Sequence, residues 1–482
     1  MRQIISADLH QSFLLPPCLE DWVGPEHPAR FIREFVGLLN LAQLGLDELK
    51  REEGGVAYAP EMLVGVWLYG YFRKIRSLRG LEVACMEEMG FVWLTGHTRP
   101  DHNALWRYWN RHRAGLKALF KHSVQLAIKM GLVGFAEQAL DGTKIQARCS
   151  AYGSYDKKHL QKRLAKLDEQ IAQLESELEQ TGVQRSVQLP ARLKGKNRLR
   201  EKMQQAWQQI EQDGGKHVHP QEPTAMRMKT DKGMKFGHNA QAIADAQAGV
   251  VVSAAVADEP TDQHQLCPQI ETARELRREL DSRMGPLPAV LTKADAGYAS
   301  IAQLGAVQAQ DQPVMTPPPT GWKDLSKPYH PAHFQHDPER NVVVCPQARS
   351  LPLRATKQRH GCQHQSYQST QVCADCPVRS ACTTNQRGRE VLISEHHSLV
   401  LATSERWQDP QYRQDYQRRT KIIEPVFAQI KQQMGFRRWS FFGKEKISAQ
   451  WLMLCATHNL KRIFAHWRPA KLPSLAPRLS CA

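Results

Sequence analysis

Apolar residues recur at helical intervals from about residue 30 to residue 133. One such run begins at Pro60, and proline suits the first turn of a helix because its missing N–H would have no partner there. The run from Met62 to Tyr71 is too short for a membrane span, which needs about 20 apolar residues. This pattern predicts an all-helical N-terminal region.

One predicted helix in this region mixes aromatic and basic residues. Asp101 should cap it, and Trp106 and Trp109 lie among Arg107 and Arg111. The arginines and aromatic rings would suit contacts with DNA phosphates. The same pattern also fits tryptophans in the core with solvated arginines. The residues alone leave both interpretations open.

The chain from residue 155 to residue 214 is long, polar and helical. Leucine and isoleucine alternate spacings of four and three between Leu160 and Leu178, which is a seam of nearly three heptads. A second helical stretch, Leu193 to Ile210, follows a loop that should hold Gly182 and Pro190. We interpret the pair as an inserted antiparallel hairpin. A parallel dimeric coiled coil is the competing interpretation.

Strand-like segments flank this helical stretch. Ala139 to Ile145 predicts a strand whose end carries Asp141, with a glycine next. A later apolar stretch ends in Asp295 and again leads into a glycine turn. Acidic residues at strand ends are typical of metal sites in α/β folds. Asp-Gly is also a common turn pair, but two such sites in one chain are less easily accidental.

Between the two aspartates the pattern predicts a hairpin and a helix. Gln241 to Asp245 and Gly249 to Val256 form the expected strand pair. Thr261 and Asp262 should then cap a helix that runs to about Met284.

Residues 311–389 are rich in proline, glutamine and histidine and show little periodicity. They contain too few apolar residues for us to expect a core of their own, so a metal would explain their order. A Cys-x-x-Cys pair with two further cysteines suits a tetrahedral zinc site. The expected ligands are Cys345, Cys373, Cys376 and Cys382. Cys362 or His364 would be able to replace one of them, and free thiols in a loop are the alternative.

A basic helix near the C-terminus contains a single carboxylate. The run from Tyr416 to Phe427 is rich in arginine and lysine, and Glu424 is the sole acid between Asp415 and Glu445. Such a carboxylate suits a metal ligand beside a polyanion. On composition alone, it would as readily offset arginine charge on a solvated helix face. His458 lies on the apolar stripe of the last helix, where we expect a buried histidine rather than a ligand.

The charge of the chain changes the picture. The 482 residues carry a formal net charge of +17 with a sequence pI near 9.4, which is typical of proteins that bind nucleic acid. The N-terminal eight residues lack the apolar stretch of a signal peptide. No membrane segment is expected, and we predict a cytoplasmic protein, associated with the nucleoid when bound to DNA.

These motifs resemble the DDE transposases of bacterial insertion sequences, and more narrowly the group with a Tyr-Arg-Glu-Lys signature helix. Asp141-Gly142-Thr143-Lys144 is similar to the motif of the first acid, and Ala294 to Tyr298 to that of the second. Ile423 to Phe427 resembles the third. Four residues separate Arg419 from Glu424, where the signature usually has three. The cysteine cluster is also similar to an insertion seen in this group.

The resemblance implies an α/β fold with an RNase H-like mixed-sheet core. It also implies an all-α N-terminal domain, an inserted helical hairpin and a Cys-rich insertion. The expected domains are 1–134 (DNA-binding helices), 135–154 with 215–310 (first parts of the core), 155–214 (hairpin), 311–390 (zinc-binding insertion) and 391–482 (C-terminal core with the Glu helix).

The implied activity is metal-dependent DNA cleavage and strand transfer at the terminal inverted repeats of the element. Asp141, Asp295 and Glu424 would hold two Mg²⁺ or Mn²⁺ ions, and a Zn²⁺ ion would be structural. The chain would act on double-stranded DNA, both element ends and target, as a homodimer or larger assembly. The expected DNA contacts are Tyr416, Arg419, Lys431, Arg437, Arg438, Arg107 and Arg111.

Two other functions fit parts of the sequence. A DNA-binding relic or regulator derived from a transposase would keep the basic surfaces without catalysis. A zinc-stabilised scaffold with a coiled coil would bind no DNA, and a salt-dependent gel shift would exclude it.

Overall fold

A computed structural model describes residues 18–47, 57–150, 153–181, 188–230, 233–284, 289–359 and 361–467. The N-terminal eight residues and the loop at Gly182 lie outside these ranges. The chain divides into two compact units, residues 1–130 with 452–482, and residues 131–451. No helix in the described ranges is both long and apolar enough to cross a membrane.

The first unit is helical throughout its described part. A 3₁₀ turn (Leu19–Trp22) precedes its helices, which are α1 (Pro28–Gly37), α2 (Pro60–Phe72), α3 (Leu78–Glu87), α4 (Met89–Leu94), α5 (His102–Arg111) and α6 (Arg113–Lys129). Helix α2 is buried almost all round, so it forms the centre of this unit. The Asp101 side chain caps α5 by accepting a 2.6 Å hydrogen bond from the Ala104 amide, as the sequence predicts.

Helix α5 separates the aromatic and basic residues of its mixed sequence. Trp109 is fully buried, Trp106 is half-buried, and Arg107 and Arg111 are exposed. Trp109 therefore serves the core, where its ring lies 4.7 Å from that of Trp67 between centroids. The exposed arginines form a polar face.

The second unit contains the remaining elements up to residue 451. Those before residue 320 are β1 (Glu137–Gln146), α7 (Lys157–Thr181), α8 (Gln188–Asp213), β2 (Met226–Thr230), β3 (Gly233–Asp245), β4 (Val251–Ala257), α9 (Leu266–Met284), β5 (Leu291–Ala294), α10 (Ile301–Ala309) and β6 (Val314–Met315). Strand β1 runs antiparallel to β3 and parallel to β5, which is parallel to β6. The other edge of β3 pairs with β2 and β4.

Helices α7 and α8 pack against each other within the chain. Leu160 and Leu167 share a buried cluster with Met203, Ala206 and Ile210. Lys196 donates to Gln170, and Lys157 pairs with Glu211 at 3.1 Å, so the two helices run in opposite directions. This packing is the arrangement that the hairpin interpretation predicts.

The Cys-rich segment forms a second sheet, contrary to the expectation of a segment without a core. A 3₁₀ turn (Pro331–His333) leads into β7 (Gln335–Asp337), β8 (Val342–Val344), β9 (Ser350–Arg359), β10 (Cys362–Tyr367), the short helices α11 (Thr370–Ala374) and α12 (Arg379–Cys382), and β11 (Val391–Ser394). The strand order is β11-β10-β9-β8-β7. Phe334, Val343, Leu351, Tyr367 and Val391 form its buried cluster. These residues are too widely spaced in sequence for a local pattern to indicate their packing.

The remaining elements are α13 (His397–Gln408), α14 (Pro410–Ala428), a π-helical turn (Gln429–Gln433) and α15 (Lys444–His466). Helix α14 packs on β1, β3 and β5. Residues of α15 from Leu452 onward belong to the first unit. His458 on this helix is buried, as expected from its apolar stripe.

Candidate functional site

Two aspartates lie side by side on the central sheet. Strands β1 and β5 are parallel, and the last paired residues are Leu140 and Ala294. One step further along both chains stand Asp141 and Asp295, so the register brings the two carboxylates to adjacent positions. Burial raises the pKa of Asp141, and the negative charge of Asp295 raises it further. From the sequence we expect both residues in one metal site, and the register places them side by side.

Each aspartate is held by the glycine that follows it. The Gly142 amide donates to Asp141 Oδ1 at 2.8 Å, and the Gly297 amide donates to Asp295 Oδ1 at 2.7 Å. Asp141 does not end its strand, since β1 continues to Gln146. The predicted strand is present, but Asp141 lies within it and not at its end, and Gly142 makes room inside the sheet.

A third carboxylate, Asp262, lies beside these two residues. Its Oδ1 accepts hydrogen bonds from Asn239 Nδ2 and Gln241 Nε2, each at 2.7 Å. A Cβ on Gly142 would lie 2.7 Å from Asp262 Oδ1, and one on Gly297 would lie 3.8 Å from Asp262 Cβ. The carboxylate therefore occupies the space that the two glycines leave.

The sequence pattern predicts a different role for Asp262, as the cap of the following helix. Helix α9 begins only at Leu266, and the described hydrogen bonds of the Asp262 side chain go to two buried amides on β3. Its position next to Asp141 depends on contacts between distant segments. The available signal was a pair of amide side chains at alternate positions of the buried part of strand β3, Asn239 and Gln241.

Tyr298 lies among the three carboxylates. It is fully buried, and its hydroxyl hydrogen-bonds to Gln241 Oε1. Burial raises its pKa, and the charges of Asp262, Asp141 and Asp295 raise it in that order. The phenol therefore stays protonated and serves as a hydrogen-bond donor in this network.

Helix α14 places an arginine side chain beside Asp141. Arg419 is 9% exposed, and its Nη1 lies 3.1 Å from Asp141 Oδ2. Tyr416, one turn earlier, hydrogen-bonds to Arg419. Burial raises the pKa of Tyr416, and the charge of Asp295 adds to that shift. Tyr416 and Arg419, which we expect from the sequence to contact DNA, thus lie beside the aspartates.

A buried lysine fixes the start of this helix. Lys293, on β5, is 1% exposed, and its Nζ donates to the Asp415 carbonyl at 2.6 Å. It also forms an ion pair with Glu137, which lies 3.5 Å from Arg418. A buried ammonium needs such partners to offset its desolvation. These contacts set the position of Arg419 over Asp141.

Glu424 has different surroundings. It is exposed, and five residues turn it about 140° around the helix axis from Arg419. Its carboxylate forms no hydrogen bond or ion pair with any residue that the structure describes. The structure therefore brings Asp141, Asp295, Arg419 and Tyr416 together and leaves Glu424 on the flank of the same helix.

The other expected DNA contacts have mixed surroundings. Arg437 is exposed, and Lys431 is half-buried. Arg438 donates from Nε to the Ala147 carbonyl at 3.1 Å and from Nη2 to the carbonyls of Arg148 and Cys149. Its guanidinium therefore holds the segment after β1.

The four cysteines expected to bind zinc converge on one small cavity of about 30 Å³. Burial raises the pKa of Cys382, and the charges of Cys373, Cys345 and Cys376 add to that shift. The described residues contain one group of three His, Cys, Asp or Glu side chains with ligand atoms all within 4.8 Å of one another, and it lies elsewhere, at Cys362, Glu395 and His396. The four cysteines thus surround a common space without having closed to ligand distances.

Two family models match the chain. One, described as a transposase DDE domain, matches residues 344–464. The other, described as a transposase domain (DUF772), matches residues 17–111. No curated protein and no solved structure matches the sequence. The matched domains indicate a transposase function, and they confirm the resemblance of this chain to the DDE transposases of insertion sequences.

Proposed function

We propose that this chain is a transposase that binds the terminal inverted repeats of its element and catalyses DNA cleavage and strand transfer. The observation that supports it most is the pair Asp141 and Asp295 on adjacent parallel strands, with Arg419 against them. The mixed sheet around β1 supports an RNase H-like core. Carboxyl ends of parallel strands are where ligands of α/β sheets bind.

The donor set fits Mg²⁺ or Mn²⁺. Both favour oxygen ligands, and burial together with the neighbouring charge of Asp295 raises the pKa of Asp141, a shift that a bound cation would oppose. When bound, a pair of such ions supplies an activated attacking oxygen and stabilises the leaving oxygen at the phosphodiester. Asp141 and Asp295 would hold them, with Glu424 as the third ligand that the resemblance implies. Glu424, on the flank of α14, has no hydrogen-bond or ion-pair partner among the residues that the structure describes, which leaves it available for this role.

Arg419 and Tyr416 act on the carboxylates and the DNA backbone. Arg419 offsets the charge of Asp141 when no cation is bound, and its charge opposes the rise that burial causes in the pKa of that carboxyl. With a cation in place, the guanidinium and the Tyr416 hydroxyl would be available to a phosphate next to the cut.

Asp262 acts as a positioning residue. Its carboxylate is locked by two fully buried amides, Asn239 and Gln241, and lies between the glycines that orient the two aspartates. Groups that hold metal ligands in place typically contribute a factor of about 10–100 to activity or affinity. Tyr298 supports the same arrangement, because its hydroxyl donates a hydrogen bond to Gln241 Oε1.

The basic surfaces serve DNA binding. Arg107, Arg111 and Arg437 are exposed, and the chain carries a net charge of +17. Phosphate contacts of this kind release counterions, so binding should weaken steeply with salt. We propose that the protein works on double-stranded DNA as a homodimer or larger assembly, in the cytoplasm and on the nucleoid.

The test is a cleavage assay with the purified full chain, Mg²⁺ and DNA that carries the short inverted repeats flanking its gene. We expect strand breaks at the repeat ends that depend on both the repeats and the cation. Binding without cleavage under these conditions would instead support an inactive relic or regulator. Absence of salt-dependent binding would overturn both functions.

Cys345, Cys373, Cys376 and Cys382 are proposed to hold a structural Zn²⁺ ion. Four thiolates around one cavity are a donor set that suits zinc, and Zn–S bonds of about 2.3 Å would draw the sulfurs inward. Cys376→Ser should remove one zinc per chain from the purified protein by elemental analysis. Cys267→Ser is the matched control, because that thiol donates to the Gln303 carbonyl outside the cluster. Equal zinc in both variants would exclude this site.

A further inference from the structure

A second group of metal-type side chains lies at the far end of the small sheet. Strands β10 and β11 are antiparallel, with His364 opposite Ser394. Continued by two residues, the same register sets Cys362 opposite His396. Glu395 directly precedes His396, and its amide donates to the Gln363 carbonyl at 3.3 Å. The sheet itself therefore brings the three side chains together from segments more than 30 residues apart.

The three ligand atoms are already close. One atom from each of Cys362, Glu395 and His396 lies within 4.8 Å of the other two. Bonds of 2.0–2.3 Å to a tetrahedral ion would require separations of about 3.3–3.8 Å. Side-chain rotation alone can cover this difference, since Glu395 is exposed and His396 is half-buried.

The surrounding residues make room for this arrangement. Cys362 is 2% exposed and hydrogen-bonds to Glu395. The imidazole of His396 lies directly over Gly305 on α10, where any Cβ would collide with the ring. A glycine in the middle of a helix costs about 1 kcal/mol relative to alanine, so it usually has a packing reason. Here that reason is the space that the histidine occupies.

We propose that Cys362, Glu395 and His396 form a zinc site that fastens the small sheet to the helices beside it. Sulfur, imidazole and carboxylate together favour Zn²⁺ and disfavour Mg²⁺, which prefers oxygen ligands alone. Three protein ligands leave a fourth position to water. His396 directly precedes α13, which leads through Asp409 into α14. The ion would thus fix the segment from which Arg419 reaches Asp141.

This site is distinct from the four-cysteine cluster and does not depend on the catalytic proposal. Its test uses the full chain, exchanged into metal-free buffer after loading with Zn²⁺, with zinc counted by elemental analysis. Cys362→Ser and His396→Gln should each contain one zinc fewer per chain than the wild type. Cys376→Ser should lose a different zinc, so that the double variant Cys362→Ser/Cys376→Ser loses both.

Two controls and a milder variant complete the experiment. Cys267→Ser and His333→Gln change the same residue types outside the group and should keep the wild-type zinc content. Glu395→Gln changes an exposed position and should fold, which keeps the test decisive if the buried thiol proves essential for folding. Its zinc should pass to a competing chelator at least about 10-fold more readily than that of the wild type. Wild-type zinc content and retention in Glu395→Gln and His396→Gln would overturn the proposal.

Discussion

The carboxylate cluster and the four-cysteine cluster both gather metal-type ligands, but by different means. Asp141, Asp295 and Asp262 come from three distant segments and are fixed by strand register and buried amides. Three of the four cysteines come from a stretch of ten residues around two short helices, and they surround a small cavity. The sheet register fixes the backbone positions of Asp141 and Asp295, although the carboxylate oxygens of the three aspartates, like the cysteine sulfurs, do not all lie within 4.8 Å of one another. The four-cysteine cluster would close only around its ion, because local loops do not hold sulfurs at bonding distance by themselves.

The largest effect should follow loss of either aspartate. Asp141→Asn and Asp295→Asn should each lower Mg²⁺-dependent cleavage by more than about 100-fold, since each removes a charged metal ligand. Binding to repeat DNA, measured by gel shift, should be unchanged. Asp258→Asn is the control, because that exposed carboxylate pairs with Lys444. Normal cleavage by either site variant would mean that the changed aspartate is not a metal ligand.

A pair of variants sharpens the role of the third carboxylate. Glu424→Gln should also lower cleavage by more than about 100-fold if it is a metal ligand, whereas Asp262→Asn should cost about 10–100-fold as a positioning residue. Cleavage rates at saturating Mg²⁺ compare the two. If Glu424→Gln cleaves at nearly the wild-type rate and Asp262→Asn shows the larger loss, Asp262 and not Glu424 would be the third metal ligand.

A single methyl group tests how tightly the sheet holds the cluster. Gly142→Ala would push its Cβ against Gln241 and Asp262, so it should destabilise the protein by about 1–3 kcal/mol and reduce cleavage. Gly195→Ala, on α8, has open space around it and is the matched control. Urea unfolding would measure both, and an unaffected Gly142→Ala protein would mean that the cluster is loosely packed.

The smallest effect concerns a buried histidine on strand β3 of the same sheet. Burial lowers the pKa of His238 to about 4, and its Nε2 lies 3.9 Å from Glu222. The unfolded chain takes up this proton near pH 6.5, so the contribution is complete above that pH and is lost as the pH falls towards 4. Between pH 7 and pH 5 the loss should be about 2 kcal/mol. Urea titrations at pH 7 and pH 5 should show that the wild type loses about 2 kcal/mol more unfolding free energy than His238→Gln does. Equal losses in the two proteins would contradict this prediction.

Much of the fold followed from local patterns. The N-terminal helices, the cap at Asp101 and the strand before Asp295 were predictable, because periodicity and capping are local properties. The small sheet was not, because its buried residues are scattered between Phe334 and Ile393 and pair across distant strands. Sheet packing of that kind leaves little signal in any short window of sequence.

The residues of the candidate site also differ in whether local sequence could predict them. Asp141 and Asp295 could be predicted, since each follows an apolar strand and precedes a glycine. Asp262 could not, because its neighbours Asn239 and Gln241 reach it only through the fold. Arg419 was expected at DNA, whereas its nearest partner is Asp141. That contact depends on Lys293, a buried lysine that fixes α14 from a different strand.

The most direct test is Mn²⁺ binding to the full chain on repeat DNA, followed by electron paramagnetic resonance. Mn²⁺ prefers the same oxygen ligands as Mg²⁺ and should avoid the cysteine sites. The wild type should bind Mn²⁺, and Asp141→Asn and Asp295→Asn should each lose that binding while Asp258→Asn keeps it. Equal Mn²⁺ binding by all four proteins would contradict the claim that the two adjacent aspartates form the metal site.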